Sequence, residues 1–217
     1  MRTRIKICGL TREADLAAAI EAGADAVGFI FYPGSKRCVG LEQAAQLRRR
    51  IPAFVDAVAL VVNATPAEVR AILEHVGPDL LQFHGDESPQ ACSGYGHRYL
   101  RAFRVGAPGL ESADALAAQC TAYGDAAGWL FDTHSDGYGG SGLAFDRSLL
   151  ASVQSDATAC PLILAGGLKP DTVEHAVRAV RPWAVDVSSG VEESPGIKSA
   201  QRIRDFIAGV RRADAAA

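Results

Sequence analysis

No stretch of this chain is apolar for long enough to span a membrane, and Met1–Lys6 lacks the apolar core of a signal peptide. The expectation is a cytoplasmic protein with no membrane partner. Paired cysteines are missing too. The five cysteines, Cys8, Cys38, Cys92, Cys120 and Cys160, are odd in number, scattered and free of any CxxC spacing. That pattern argues against a disulfide framework or a zinc ribbon and for a reducing compartment. A formal net charge of −3 gives no electrostatic footprint for nucleic acid. No G-x-G-x-x-G follows the first apolar run, so the dinucleotide fingerprint is absent. Nor does any linker or shift in composition divide the 217 residues, which fit one domain over 1–217. With 48% apolar and 22% charged residues, the chain has material for a full core.

What is present is organised around the stretch from Pro161 to Lys198. Two short apolar runs, Leu162–Ala165 and Ala184–Val187, stop at Gly166-Gly167 and at Ser188-Ser189-Gly190, each followed by a helical pattern. Glycines let a backbone approach a bound group, and free N–H groups at a helix start favour an anion. Two such breaks in succession suggest a phosphate cradle, of the kind built by the loops after strands 7 and 8 of a (β/α)8 barrel with a short extra helix.

The rest of the chain supplies the other strand and helix units. Strands are expected at Arg4–Cys8, Ala26–Phe31, Val55–Val62, Leu80–Phe83, Tyr99–Val105 and Gly128–Asp132. Helical patterns follow at Thr11–Glu21, Leu41–Arg50, after Ser88-Pro89, at Glu111–Tyr123, Asp146–Ser155 and Pro170–Val180, and at Gly196–Arg212 with a frayed alanine-rich tail. Thr65-Pro66-Ala67-Glu68 is a capping box with proline at the first helical position. Eight alternations with near-continuous apolar strands imply a parallel sheet covered by helices, and eight strands close into a barrel. An open doubly wound sheet is the alternative.

Catalytic groups of a barrel sit where strands end at its C-terminal face. Cys8 closes I-K-I-C-G, and Lys6, two residues earlier, points to the same side of the strand. A cation there would favour a thiolate, unless Asp186 on the neighbouring last strand neutralises it. Asp132 ends G-W-L-F-D, far from the next helix, and its apolar neighbours suit a carboxyl that keeps its proton for general acid work. Arg37 is either a solvated cation beside Lys36 or a bidentate clamp on a carboxylate. His84 reads first as a hydrogen-bonded histidine at the barrel rim, and is kept as a substrate-side candidate. The glycine-rich run within His134–Gly142 either closes over a ligand or merely connects. A metal site from Cys8, His84 and Asp132 has no close His/Cys spacing to support it.

The motifs K-I-C-G-L-T (Lys6–Thr11), S-K-R-C-V (Ser35–Val39), L-Q-F-H-G-D-E (Leu81–Glu87), F-D-T…G-G-S-G (Phe131–Gly142), L-A-G-G-L (Leu164–Leu168) and D-V-S-S-G-V-E…P-G-I-K (Asp186–Lys198) occur together and in this order. Over nearly its whole length the chain resembles the phosphoribosylanthranilate isomerases of tryptophan biosynthesis. The resemblance implies a (β/α)8 barrel performing an Amadori rearrangement on a phosphorylated small molecule with no cofactor. The strand ends offer an acid, a base and anion anchors but no convincing metal shell, and the sequence leaves monomer or homodimer open. It places the general base at Cys8, the general acid at Asp132 and the anthranilate carboxylate against Arg37. It puts the phosphate against the backbone around Gly166, Gly167, Ser188, Ser189 and Gly190. The chain departs from the family's pattern at Lys169, where an Asn commonly caps the seventh helix, at Phe83, and in a third strand without its usual glycine. The analogous isomerase of histidine synthesis resembles a version with two aspartates, so Cys8 speaks against it. A non-catalytic phosphate-ligand sensor would not need both Cys8 and Asp132.

Overall fold

In the computed structural model, which describes residues 2–134, 144–156 and 158–216, eight parallel strands close into a barrel in sequence order. They are β1 (Arg4–Cys8), β2 (Ala26–Ile30), β3 (Asp56–Val61), β4 (Leu80–Phe83), β5 (Tyr99–Val105), β6 (Gly128–Thr133), β7 (Leu162–Leu164) and β8 (Ala184–Val187). Helices α1 (Glu13–Ala22), α2 (Leu41–Arg48), α3 (Pro66–Val76), α4 (Pro89–Ser93), α5 (Ala113–Thr121), α6 (Ala151–Ser155), α7 (Val173–Val180) and α8 (Ala200–Ala215) alternate with them. The expected capping box is present. Thr65 Oγ1 accepts from Glu68 N at 3.3 Å and Glu68 Oε2 accepts from Thr65 N at 2.7 Å, so α3 starts where its side chains satisfy its free N–H groups.

Side-chain alternation along the strands divides the core into layers. Ile5, Ile7, Val27, Phe29, Leu81, Phe103 and Phe131 face outward and pack with the helices in one continuous cluster. Phe83 joins that outer layer, its ring 5.7 Å from Tyr99 and 6.1 Å from Tyr95. The inward set of Val58, Leu80, Leu100, Ala102, Leu130, Ile163, Ala165 and Ala184 fills the barrel as a separate plug. Above it Cys8, Ile30, Leu60 and Val62 form a small cap of apolar groups under the C-terminal mouth. The seam where the barrel closes carries buried charge. Lys6 pairs in register with Asp186, and its Nζ donates to Asp186 Oδ1 at 3.0 Å.

The sequence pattern misplaces the last helix. In place of a helix from Gly196, Glu192–Ser194 (β9) and Ile197–Lys198 (β10) form a small antiparallel hairpin turning at Gly196, where φ is +86°. The extra helix after β8 is one 3₁₀ turn, Ser189–Val191. At its far end α8 does not fray after Arg212. It continues to Ala215 because Asp214 accepts from Thr3 N at 2.9 Å and Thr3 Oγ1 at 2.7 Å, at the start of β1. The helix expected at Asp146–Ser155 opens as a 3₁₀ turn, Arg147–Leu150, and becomes α-helical only at Ala151.

Candidate active site

Two adjoining hollows open at the C-terminal mouth. One is lined by Cys8, Ile30, Tyr32, Ser35, Arg37 and His84 among others, the other by Gly166, Gly167, Ser189 and Gly190 among others. They share Asp132, Asp186 and Ser188. The strand ends thus bring together every candidate read from the sequence, with Asp132 at the junction. The glycine-rich run of residues 135–143 lies outside the described residues.

In the first hollow Cys8 is 3% exposed and faces Gly28 of β2 in register. A methyl group at Gly28 would lie 2.8 Å from the Cys8 sulfur and 3.2 Å from Lys6 Nζ, so glycine is what leaves the thiol its room. Burial is the largest influence on Cys8 and pushes its pKa up. Asp186 adds to that rise, while Lys6 and Lys198 oppose it without winning. The expected thiolate-favouring pairing is therefore overridden, because burial, with Asp186 adding to it, outweighs the pull of Lys6. Burial also works against the Lys6 ammonium, yet Asp186 and Cys8 together hold its pKa above the ordinary lysine value.

His84 is hydrogen-bonded at the rim, as its position suggested. Its Nδ1 lies 3.0 Å from the Gln82 amide nitrogen, and its Nε2 stops 3.4 Å from Asp132 Oδ2, without a hydrogen-bond partner among the described residues. The loop carrying it is braced by Glu87, whose carboxylate accepts from Asn63 N at 2.7 Å, Gly85 N at 3.0 Å and Arg101 Nη1 at 2.9 Å. Asp132 Oδ1 accepts from Thr133 N at 2.8 Å, which orients the carboxyl at the end of β6.

Arg37 is no free surface cation. Its Nε and Nη2 donate to Glu192 Oε1 at 2.7 Å and Oε2 at 2.8 Å, so one edge of the fork is already filled within the protein. In the second hollow Gly166 and Gly167 both have left-handed backbones, with φ of +76° and +63°. Gly190 comes so close to Leu168 that any side chain would overlap the Leu168 carbonyl. The two loops after β7 and β8 are thus in backbone contact, as a cradle built jointly by them requires. Among the described residues no group of three or more His, Cys, Asp or Glu is arranged to hold a metal ion, and no helix is long and apolar enough to cross a membrane.

The profile of the family described as N-(5'phosphoribosyl)anthranilate (PRA) isomerase matches residues 5–209. The chain belongs to the phosphoribosylanthranilate isomerase family. The N-(5'-phosphoribosyl)anthranilate isomerase of Bordetella pertussis is 67% identical over 214 residues, covering 99% of this chain and 98% of that protein. Its counterpart from Methylibium petroleiphilum is 51% identical, with 99% and 97% covered. Among solved structures, phosphoribosyl anthranilate isomerase from Thermotoga maritima superposes with a TM-score of 0.87 at 36% identity, covering 97% of this chain and 99% of that one. A phosphoribosyl anthranilate isomerase in complex with reduced 1-(o-carboxyphenylamino)-1-deoxyribulose 5-phosphate superposes with a TM-score of 0.83 at 34% identity, again covering 97% and 99%.

Within this isomerase barrel, sequence reasoning passed over four residues that shape the site. Asp186 had been considered only as a neutraliser of Lys6, yet it lines both hollows. Its signal was available, since alternation on a closing last strand turns residues 184 and 186 to the same side. Glu192, Lys198 and Gly28 carried no such signal, because their partners lie on other strands and loops.

Proposed function

We propose that this phosphoribosylanthranilate isomerase converts N-(5-phosphoribosyl)anthranilate to 1-(2-carboxyphenylamino)-1-deoxyribulose 5-phosphate, by acid and base catalysis from its own side chains. The observation that carries this reading is the pair of hollows meeting at Asp132, one flanked by a thiol and an arginine and the other by the glycine and serine loops. A substrate with a carboxylate at one end and a phosphate at the other has its ribose at that junction. The backbone of Gly166, Gly167, Ser188, Ser189 and Gly190 receives the phosphate. Arg37 receives the anthranilate carboxylate on the fork edge that Glu192 does not use. His84 stands beside the acid, on the substrate side.

Asp132 then protonates the ribose ring oxygen as the C1′–O bond breaks, and the amine nitrogen's lone pair forms the Schiff base. Cys8, as thiolate, takes the C2′ proton, and that electron pair makes the enolamine. Its hydroxyl proton leaves and C1′ gains one, giving the ketone with no net change in protons. Holding both ends turns binding into orientation at the reacting carbons. We read the working form as a cytoplasmic monomer or homodimer of one domain.

The decisive measurement is the loss of substrate fluorescence on turnover, for wild type, Cys8→Ser and Asp132→Asn. Each variant should lose on the order of 10²–10⁴ in kcat, the usual worth of a positioned acid or base, with a much smaller change in KM. Near-wild-type kcat in either variant removes that residue from its role. A wild-type protein inert on this substrate removes the function.

A further inference from the structure

Beside the site lie two buried charged groups that the rearrangement does not use. Glu192 opens β9 and Lys198 closes β10, and their side chains are 5% and 0% exposed. The Lys198 ammonium has three protons to give, and three oxygens surround it. They are Glu192 Oε1 at 2.8 Å, the Ser188 carbonyl at 3.0 Å and Ser188 Oγ at 3.3 Å. Glu192 in turn holds the Nε and Nη2 edge of Arg37 with both carboxylate oxygens.

One ammonium therefore touches Ser188, one of the three residues common to both hollows, and the carboxylate that fixes the plane of Arg37. Charge matters as much as contact. An isolated Arg37–Glu192 pair would be neutral and a poor attractor of a substrate carboxylate. With Lys198 added, the buried trio carries one net positive charge.

We propose that Lys198 is a positioning residue that couples the two anion anchors, shaping the phosphate loop through Ser188 and presenting a net-positive Arg37 through Glu192. This rests on the reading above, that the serine and glycine loops take the phosphate and Arg37 the carboxylate.

Two readouts separate the ends of the site. Competitive inhibition by inorganic phosphate reports on the phosphate end alone. The ratio of kcat/KM on the normal substrate to that on an aniline analogue lacking the carboxylate reports on the other end. Lys198→Met should raise the phosphate inhibition constant and lower the carboxylate preference, each about tenfold, the scale of one hydrogen bond to a charged group. Glu192→Gln should leave phosphate inhibition within about twofold, because Lys198 still holds Ser188. Lys198→Met strands a buried carboxylate, so the double variant Glu192→Gln/Lys198→Met, which removes both charges together, decides the matter if the single one does not fold. The double variant should show the phosphate loss, and because Arg37 alone then carries the same single net positive charge, its carboxylate preference should fall less than in Lys198→Met. Unchanged phosphate inhibition in Lys198→Met or the double variant overturns the coupling, as does equal weakening of phosphate by Glu192→Gln alone. Arg37→Met is the control for the underlying reading. If it leaves the carboxylate preference intact, the Arg37 assignment fails first and the coupling falls with it.

Discussion

Cys8 sits among groups that pull its proton in opposite directions, and each can be removed singly. Burial and Asp186 hold the thiol above its ordinary pKa, while Lys6 pulls it down. Asp186→Asn removes an upward influence and frees the Lys6 ammonium, so the titration of Cys8 should move to lower pH. Lys6→Met removes the opposing cation, so it should move to higher pH. Site-resolved alkylation with iodoacetamide across a pH series reads both shifts, with exposed Cys38 as internal reference. Shifts in the same direction, or none, would show that these two charges do not govern the thiol. The same balance sets the sign of the activity profile. A base must be deprotonated to act, and a raised pKa places most of that ionisation above neutrality, so kcat/KM should climb with pH through the neutral range. A flat profile there would remove Cys8 ionisation from the rate.

Among the elements, α8 gives the sharpest test of stability. Its last turn is tied to the head of β1 by the two bonds from Thr3 to Asp214, and Ala213 is 1% exposed. Asp214→Ala should cost about 1.5–3 kcal/mol in urea unfolding, the usual range for hydrogen bonds to a charged group. A change below about 0.5 kcal/mol, typical of exposed surface sites, would mean that the tail is merely laid against the barrel. This element also shows where the sequence could be read and where it could not. The strands were legible because each is a short, nearly unbroken apolar run, and α3 because its capping box is local. The hairpin of β9 and β10 was not, since its polar residues merge into the helical pattern of α8. Its reason for existing, the Glu192–Arg37 contact, spans 155 residues. In the site, Cys8, Asp132 and the glycine loops were visible from strand ends and family motifs. Gly28 was not, because its role is an empty volume beside a side chain on another strand.

For the molecule as a whole, the decisive contact is the one that closes the ring. Lys6 and Asp186 are 180 residues apart and meet only at the β1–β8 seam. During synthesis at roughly 5–20 residues per second, Lys6 and Cys8 are made on the order of 10–40 s before Asp186. Throughout that interval the Cys8 sulfur has no last strand beside it. Ribosome-bound chains arrested before β8 should therefore label at Cys8 as readily as at Cys38, and chains released at full length should label at Cys8 far more slowly. Protection of Cys8 in the shorter chains would show that an incomplete ring already shields it. Otherwise the Cys8 thiol is exposed to oxidants early in the protein's life, and its safety depends on how fast the final strand arrives.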